Sequence, residues 1–164
     1  MLLSHRAIRY GVKQLELVGN TIRFNGERLY LRGYGDDGAY ASTAAPPTDK
    51  GFYYRQLNDM KALGFNFIRL HTHSMPAEFF DVADELGMLC HPEFAITHEA
   101  PSLKKGWLNN NLVRKVFNAS FTSIVERHAY RPSIFAWVLS NEMYPYHQTQ
   151  IVDLCNPPCL VADN

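Results

Sequence analysis

The chain has 164 residues, 46% hydrophobic and 20% charged, which is enough apolar material for one sizeable core and excludes a disordered or fibrous chain. Sixteen Lys and Arg balance sixteen Asp and Glu, so no net cationic field exists to gather nucleic acid or an anionic membrane surface, and neither is expected as a partner. No apolar run approaches the roughly 20 residues that span a bilayer, and because Met1 to Leu3 meet Ser4, His5 and Arg6 at once, no secretory signal is expected in this stretch.

In chain order, Lys13 to Val18, Thr21 to Phe24 and Leu29 to Arg32 read as short strands. Asn25-Gly26 between the last two is a strong hairpin signal, since both residues tolerate positive φ. Gly33 to Asp49, with three glycines and two adjacent prolines, has no periodicity and reads as a long loop. Thr48 or Asp49 then caps a helix with Phe52, Leu57, Met60 and Leu63 on one face and Gly64 as its stop. Phe65 to Leu70 follows as a buried strand. Pro76 suits the first turn of a second helix whose apolar face is Phe79, Phe80, Val82, Ala83 and Leu86; Gly87 ends it, and Met88 to Cys90 form a strand. A third helix is expected over Leu112 to His128. Beyond the breaker Pro132, Ile134 to Leu139 is a nearly continuous apolar strand, the kind buried on both faces of a parallel sheet.

Alternating strands and helices imply right-handed βαβ units, in an open doubly wound sheet or a (β/α)8 barrel. Polar residues collect where strands end: Gly33 to Asp36, Arg69 with His71, His91 with Glu93, and Asn141 with Glu142. Several loaded strand ends favour a TIM barrel with its site at the carboxyl face. Gly33 to Gly38 spells G-x-G-x-x-G, but a proline-bearing loop follows it instead of a helix start, which argues against a dinucleotide. The fold expected is therefore the amino-terminal half of a (β/α)8 TIM barrel, about four βα units over residues 29–164. Residues 1–28 are expected to end a preceding β-domain as a hairpin. The three cysteines cannot close a disulfide framework, and Cys155 with Cys159 lacks redox or zinc spacing.

Asn141-Glu142 is the most informative pair. A carboxyl group leaving a dry strand is driven toward its protonated form and can serve as a general acid, while the neighbouring amide holds a sugar hydroxyl. A plain helix start, with Glu142 favouring the amino-end dipole, explains the same two residues.

Residues 131–142 (RPSIFAWVLSNE) resemble the strand-four motif of the glycoside hydrolases related to beta-galactosidase, beta-glucuronidase and beta-mannosidase, family 2, whose glutamate is the acid/base. Three further stretches are similar to that family in the same order: residues 22–33 (IRFNGERLYLRG), 60–69 (MKALGFNFIR) and 79–89 (FFDVADELGML). The resemblance implies a retaining, exo-acting glycosidase with no cofactor. Glu142 would be the acid/base, Asn141 would bind the sugar, and Arg69 would steady the nucleophilic glutamate of strand seven. That nucleophile is expected outside this chain, because such a barrel takes about 250 residues.

Glu93 is expected either as a second site carboxylate or as a structural partner of Arg69. His71 and His73 are candidates for substrate contacts, and His71, His73 and His91 match no closed zinc site. Tyr34, Tyr144 and Tyr146 offer rings for sugar stacking. The competing class is a non-catalytic half-barrel that binds carbohydrate, and the unpaired edges of an open half-barrel are expected to drive self-association.

Overall fold

The structure, a computed structural model, describes residues 7–94 and 111–142. Tyr144, Tyr146, Cys155 and Cys159 lie outside those residues. Asn25 and Gly26 take φ of +52° and +82°, the left-handed pair that a primed two-residue hairpin needs. They join β2 (Thr21–Phe24) to β3 (Glu27–Leu29), and β1 (Leu15–Val18) completes a three-stranded antiparallel sheet.

A second, parallel sheet holds β4 (Gly33–Asp36), β5 (Phe67–Leu70) and β6 (Leu89–Pro92) in that order. Its first strand is a correction. Leu29 to Arg32 was the expected strand and Gly33 the start of a loop, yet Gly33 to Asp36 pair with Phe67 to Leu70 residue for residue. Glycine belongs at position 33 because a Cβ there would sit 2.4 Å from Cδ1 of Phe67. Tertiary pairing thus overrides glycine's poor strand propensity.

The helices follow their caps. Asp49 accepts from Gly51 N at 2.9 Å and Phe52 N at 3.2 Å, opening α1 (Lys50–Ala62). Pro76 occupies the cap position of α2 (Ala77–Leu86), one residue before the first turn expected of it, and Gly87 ends that helix at φ +66°. The third helix, α3, covers Asn111–His128. No helix among the described residues is long and apolar enough to cross a membrane.

Alternation along the sheet sends Ile68, Leu70 and Cys90 into a core with Tyr53 and Leu57 of α1 and Phe79, Phe80 and Val82 of α2. Arg69 and His91, paired in register, occupy the other face. Cys90 is a free, fully buried thiol whose pKa burial pushes up, so it stays protonated and inert.

The fourth strand departs from expectation. Ile134 to Leu139 runs parallel to β6 but meets it only at two isolated bridges, Cys90 with Ile134 and Glu93 with Val138. Residues 135–139 are half-buried, not dry on both faces. Among the described residues the parallel sheet does not close into a barrel.

Arg131, 4% exposed, ties this segment to the helices. Its Nη1 donates to Asp81 Oδ1 at 2.8 Å and Asp84 Oδ2 at 3.0 Å, and its Nε to His128 Nδ1 at 3.2 Å. The second oxygen of Asp84 accepts from Ser133 N at 2.9 Å. Burial, then the Arg131 charge, push the His128 pKa down to about 4 from an ordinary value of 6.5. A folded-state pKa below the unfolded one means that the unfolded chain binds more protons in between. Stability is therefore complete above pH 6.5 and is lost as pH falls toward 4, by up to about 3 kcal/mol. Urea titrations at pH 7.5 and 4.5 are expected to show this loss, and His128→Gln to flatten it. An equal acid loss in that variant would assign the effect to other groups.

Candidate active site

Arg69 lies on β5 and Glu93 directly follows β6, so neighbouring parallel strands deliver both to one carboxyl edge. The Arg69 guanidinium grips a single carboxylate oxygen. Its Nε donates to Glu93 Oε2 at 3.0 Å and its Nη2 to the same oxygen at 2.7 Å. Nη2 also donates to Asn141 Oδ1 at 2.8 Å. One cation thereby joins the ends of the second, third and fourth parallel segments.

The Glu93 side chain is 0% exposed, and that of Arg69 is 40% exposed. His71 Nδ1 stands 3.5 Å from Glu93 Oε2, too far for a strong hydrogen bond. The other carboxylate oxygen, Oε1, is buried without a hydrogen-bond partner among the described residues. A buried acceptor in that condition costs free energy until a donor reaches it. Of the two roles expected for Glu93, pairing with Arg69 is the one this geometry displays.

Asn141 is half-buried, and because its carbonyl oxygen is taken by Arg69, its NH2 end is left as the donor for another group. Glu142 comes next at φ +50° and is exposed, which departs from the dry surroundings expected of it.

The histidines separate. His71 adjoins Glu93, but His73 turns back on its own loop, with Nδ1 2.8 Å from His71 O and Nε2 3.2 Å from Met75 Sδ. Thr72 between them takes φ +56°, a strained conformation for a β-branched residue. His91 packs tilted against Phe67, ring centroids 5.7 Å apart, and burial, then the Arg69 charge, lower its pKa. No three metal-ligating side chains converge among the described residues.

One contributor escapes sequence reasoning. Gln56 of α1 donates to Asp36 Oδ2 at 3.1 Å, and Gly38 N donates to Oδ1 at 2.7 Å, anchoring the loop after β4. The signal available was a polar residue beside the buried Tyr53 and Leu57 on α1. Tyr34, offered for sugar stacking, instead packs edge-on against Phe65 at 5.4 Å.

A parallel sheet backed by helices gathers an arginine, a buried carboxylate and an Asn-Glu pair at its carboxyl edge, the end at which parallel α/β folds bind their ligands. No family model matches the chain. It is 31% identical over 120 residues to a Formosa agariphila protein named "Putative beta-glucuronidase", covering 73% of this chain and 14% of that protein. It is 26% identical over 148 residues to an exo-beta-D-glucosaminidase of Amycolatopsis orientalis, covering 84% and 14%. The chain thus spans 14% of the length of each of these curated relatives. Among solved structures, the beta-glucuronidase of Parabacteroides merdae superposes with a TM-score of 0.66 at 26% identity, over 80% of this chain and 16% of that one. A beta-glucuronidase from Ruminococcus gnavus reaches 0.78 at 20% identity over 92% and 26%, a likeness of fold alone. The chain is a relative of the family 2 glycoside hydrolases.

Proposed function

We propose that this chain supplies the acid/base side of a retaining, exo-acting glycoside hydrolase site, at the carboxyl face of a (β/α)8 barrel whose amino-terminal half it forms. The observation that carries the reading is the Arg69 fork, which fastens Glu93 and Asn141 together one residue before Glu142. The substrate class is a carbohydrate with an O-glycosidic bond at its non-reducing end.

The division of labour follows from the chemistry of each group. Glu93, buried and ion-paired, holds Arg69 in place. Arg69 fixes the Asn141 amide so that its NH2 faces a sugar hydroxyl. Glu142, with its exposed carboxyl, protonates the departing glycosidic oxygen and then takes a proton from the water that releases the sugar. The attacking carboxylate, about 5 to 5.5 Å from the acid in a retaining site, comes from another strand end of the barrel.

The test is stereochemical. The complete natural polypeptide is incubated with aryl glycosides, and the first-formed sugar is followed by proton NMR. Retention of the anomeric configuration is expected. Inversion would reject the two-step mechanism, and sugar binding without hydrolysis would favour a carbohydrate-binding half-barrel.

A further inference from the structure

Pro92 turns its nitrogen toward the segment that leads to Asn141 and Glu142. Two residues earlier Cys90 makes regular parallel contacts on that side: its N–H donates to Ser133 O at 2.7 Å, and its carbonyl accepts from Phe135 N at 2.9 Å. In an unbroken ladder residue 92 would repeat the pattern, donating to Phe135 O and accepting from Trp137 N. Proline has no N–H to donate. Its carbonyl accepts instead from Val138 N at 2.9 Å, and Phe94 N donates to Val138 O at 2.8 Å.

The pairing has slipped by one residue. From the Cys90–Ile134 bridge to the Glu93–Val138 bridge the chain advances three positions along β6 and the residue after it and four on its neighbour, which is the count of a β-bulge. A surplus residue reverses which side later side chains face. The rings record the reversal. Phe135 packs at 5.9 Å on Phe67, on the Arg69 side of the sheet, whereas Trp137 packs at 6.4 Å on Phe121 of α3, on the helix side. Two residues apart on a regular strand would share one face.

We propose that Pro92 is a positioning residue: by withholding one ladder hydrogen bond it forces the surplus residue into Phe135–Trp137, and this register brings Asn141 onto Arg69 and Glu142 to the carboxyl edge. The proposal rests on the reading of Glu142 as proton donor, and deepens it by naming what aims that residue. Pro92 itself is fully buried and points no functional group at the site.

The experiment uses the complete natural polypeptide and three variants: Pro92→Val, which restores the N–H at similar volume; Pro92→Ala, which restores it in a smaller side chain should valine not fit; and Pro92→Val with Ala136 deleted. Register is read from nuclear Overhauser contacts between the Val138 amide and Glu93, and catalysis from kcat and KM. In Pro92→Val or Pro92→Ala the Val138–Glu93 contact is expected to vanish, with Trp137 moving opposite Glu93. A displacement of that kind is expected to lower kcat by about 10²-fold or more, with KM changed far less. Deleting Ala136 removes the surplus residue, so the contact and most of the kcat are expected to return. An unchanged register in both single variants would overturn the proposal, as would a slipped register with full kcat, or no recovery on deletion. Absence of glycosidase activity in the unmodified protein would reject the proposed function instead, and the register readout would still judge Pro92.

Discussion

Glu142→Ala in the complete natural polypeptide is expected to slow hydrolysis of alkyl glycosides by about 10²- to 10⁴-fold, the contribution of a positioned general acid. The effect depends on the leaving group. An alkoxide cannot depart without a proton, whereas a nitrophenolate needs little help, so the first step with nitrophenyl glycosides is expected to survive far better. Their turnover then waits on the second step, which has lost its base. Azide needs no base and is expected to restore turnover, giving a glycosyl azide of retained configuration. Asn141→Ala is expected to behave differently. Its amide, oriented by Arg69 Nη2 at 2.8 Å, would hold a sugar hydroxyl most tightly in the transition state, so kcat/KM falls for good and poor leaving groups alike. Equal losses for both substrate types in Glu142→Ala, with no azide product, would return Asn141-Glu142 to an ordinary helix start.

Arg69→Met is expected to destabilise the fold by about 3 kcal/mol, near the low end of what breaking a buried ion pair costs. The variant leaves the charge of Glu93, whose side chain is 0% exposed and whose Oε1 has no partner among the described residues, without its cation. The Arg69 side chain is 40% exposed, so water entering beside the shorter, uncharged thioether would relieve part of the penalty. Pairing Arg69→Met with Glu93→Gln removes the charge along with its partner, and most of the lost stability is expected to return. A double-mutant cycle by urea unfolding measures the coupling directly. A loss under about 0.5 kcal/mol in Arg69→Met, the size of an ordinary surface substitution, would mean that the fork carries little stability.

Local chemistry is legible in the chain itself. Asn25-Gly26, the Asp49 cap and the Gly87 stop each act through the conformations that one or two residues can adopt, so they announce themselves in the amino-acid order. The face of α2 is legible for a similar reason, since Phe79, Phe80, Val82 and Ala83 are all buried as their spacing requires, whereas Leu63, expected on the apolar face of α1, is 72% exposed. Arg69, Glu93 and Asn141 can be singled out as polar residues at strand ends. Their common fork cannot, because it joins residues 24 and 72 positions apart through the order of neighbouring strands.

By itself, then, the sequence determined the alternation of helices and strands, the turns between them and the strand ends at which the polar groups gather, all of which depend on short-range sterics and hydrophobic period. Only the tertiary structure decided that Gly33 to Asp36 is a strand, since its pairing with β5 and the ring of Phe67 over Gly33 supply what glycine's own propensity withholds. It alone turned His73 away from Glu93 and onto Met75. It also decided the register of the segment before Glu142, where a missing N–H on Pro92 matters only because Phe135 to Val138 lie alongside it.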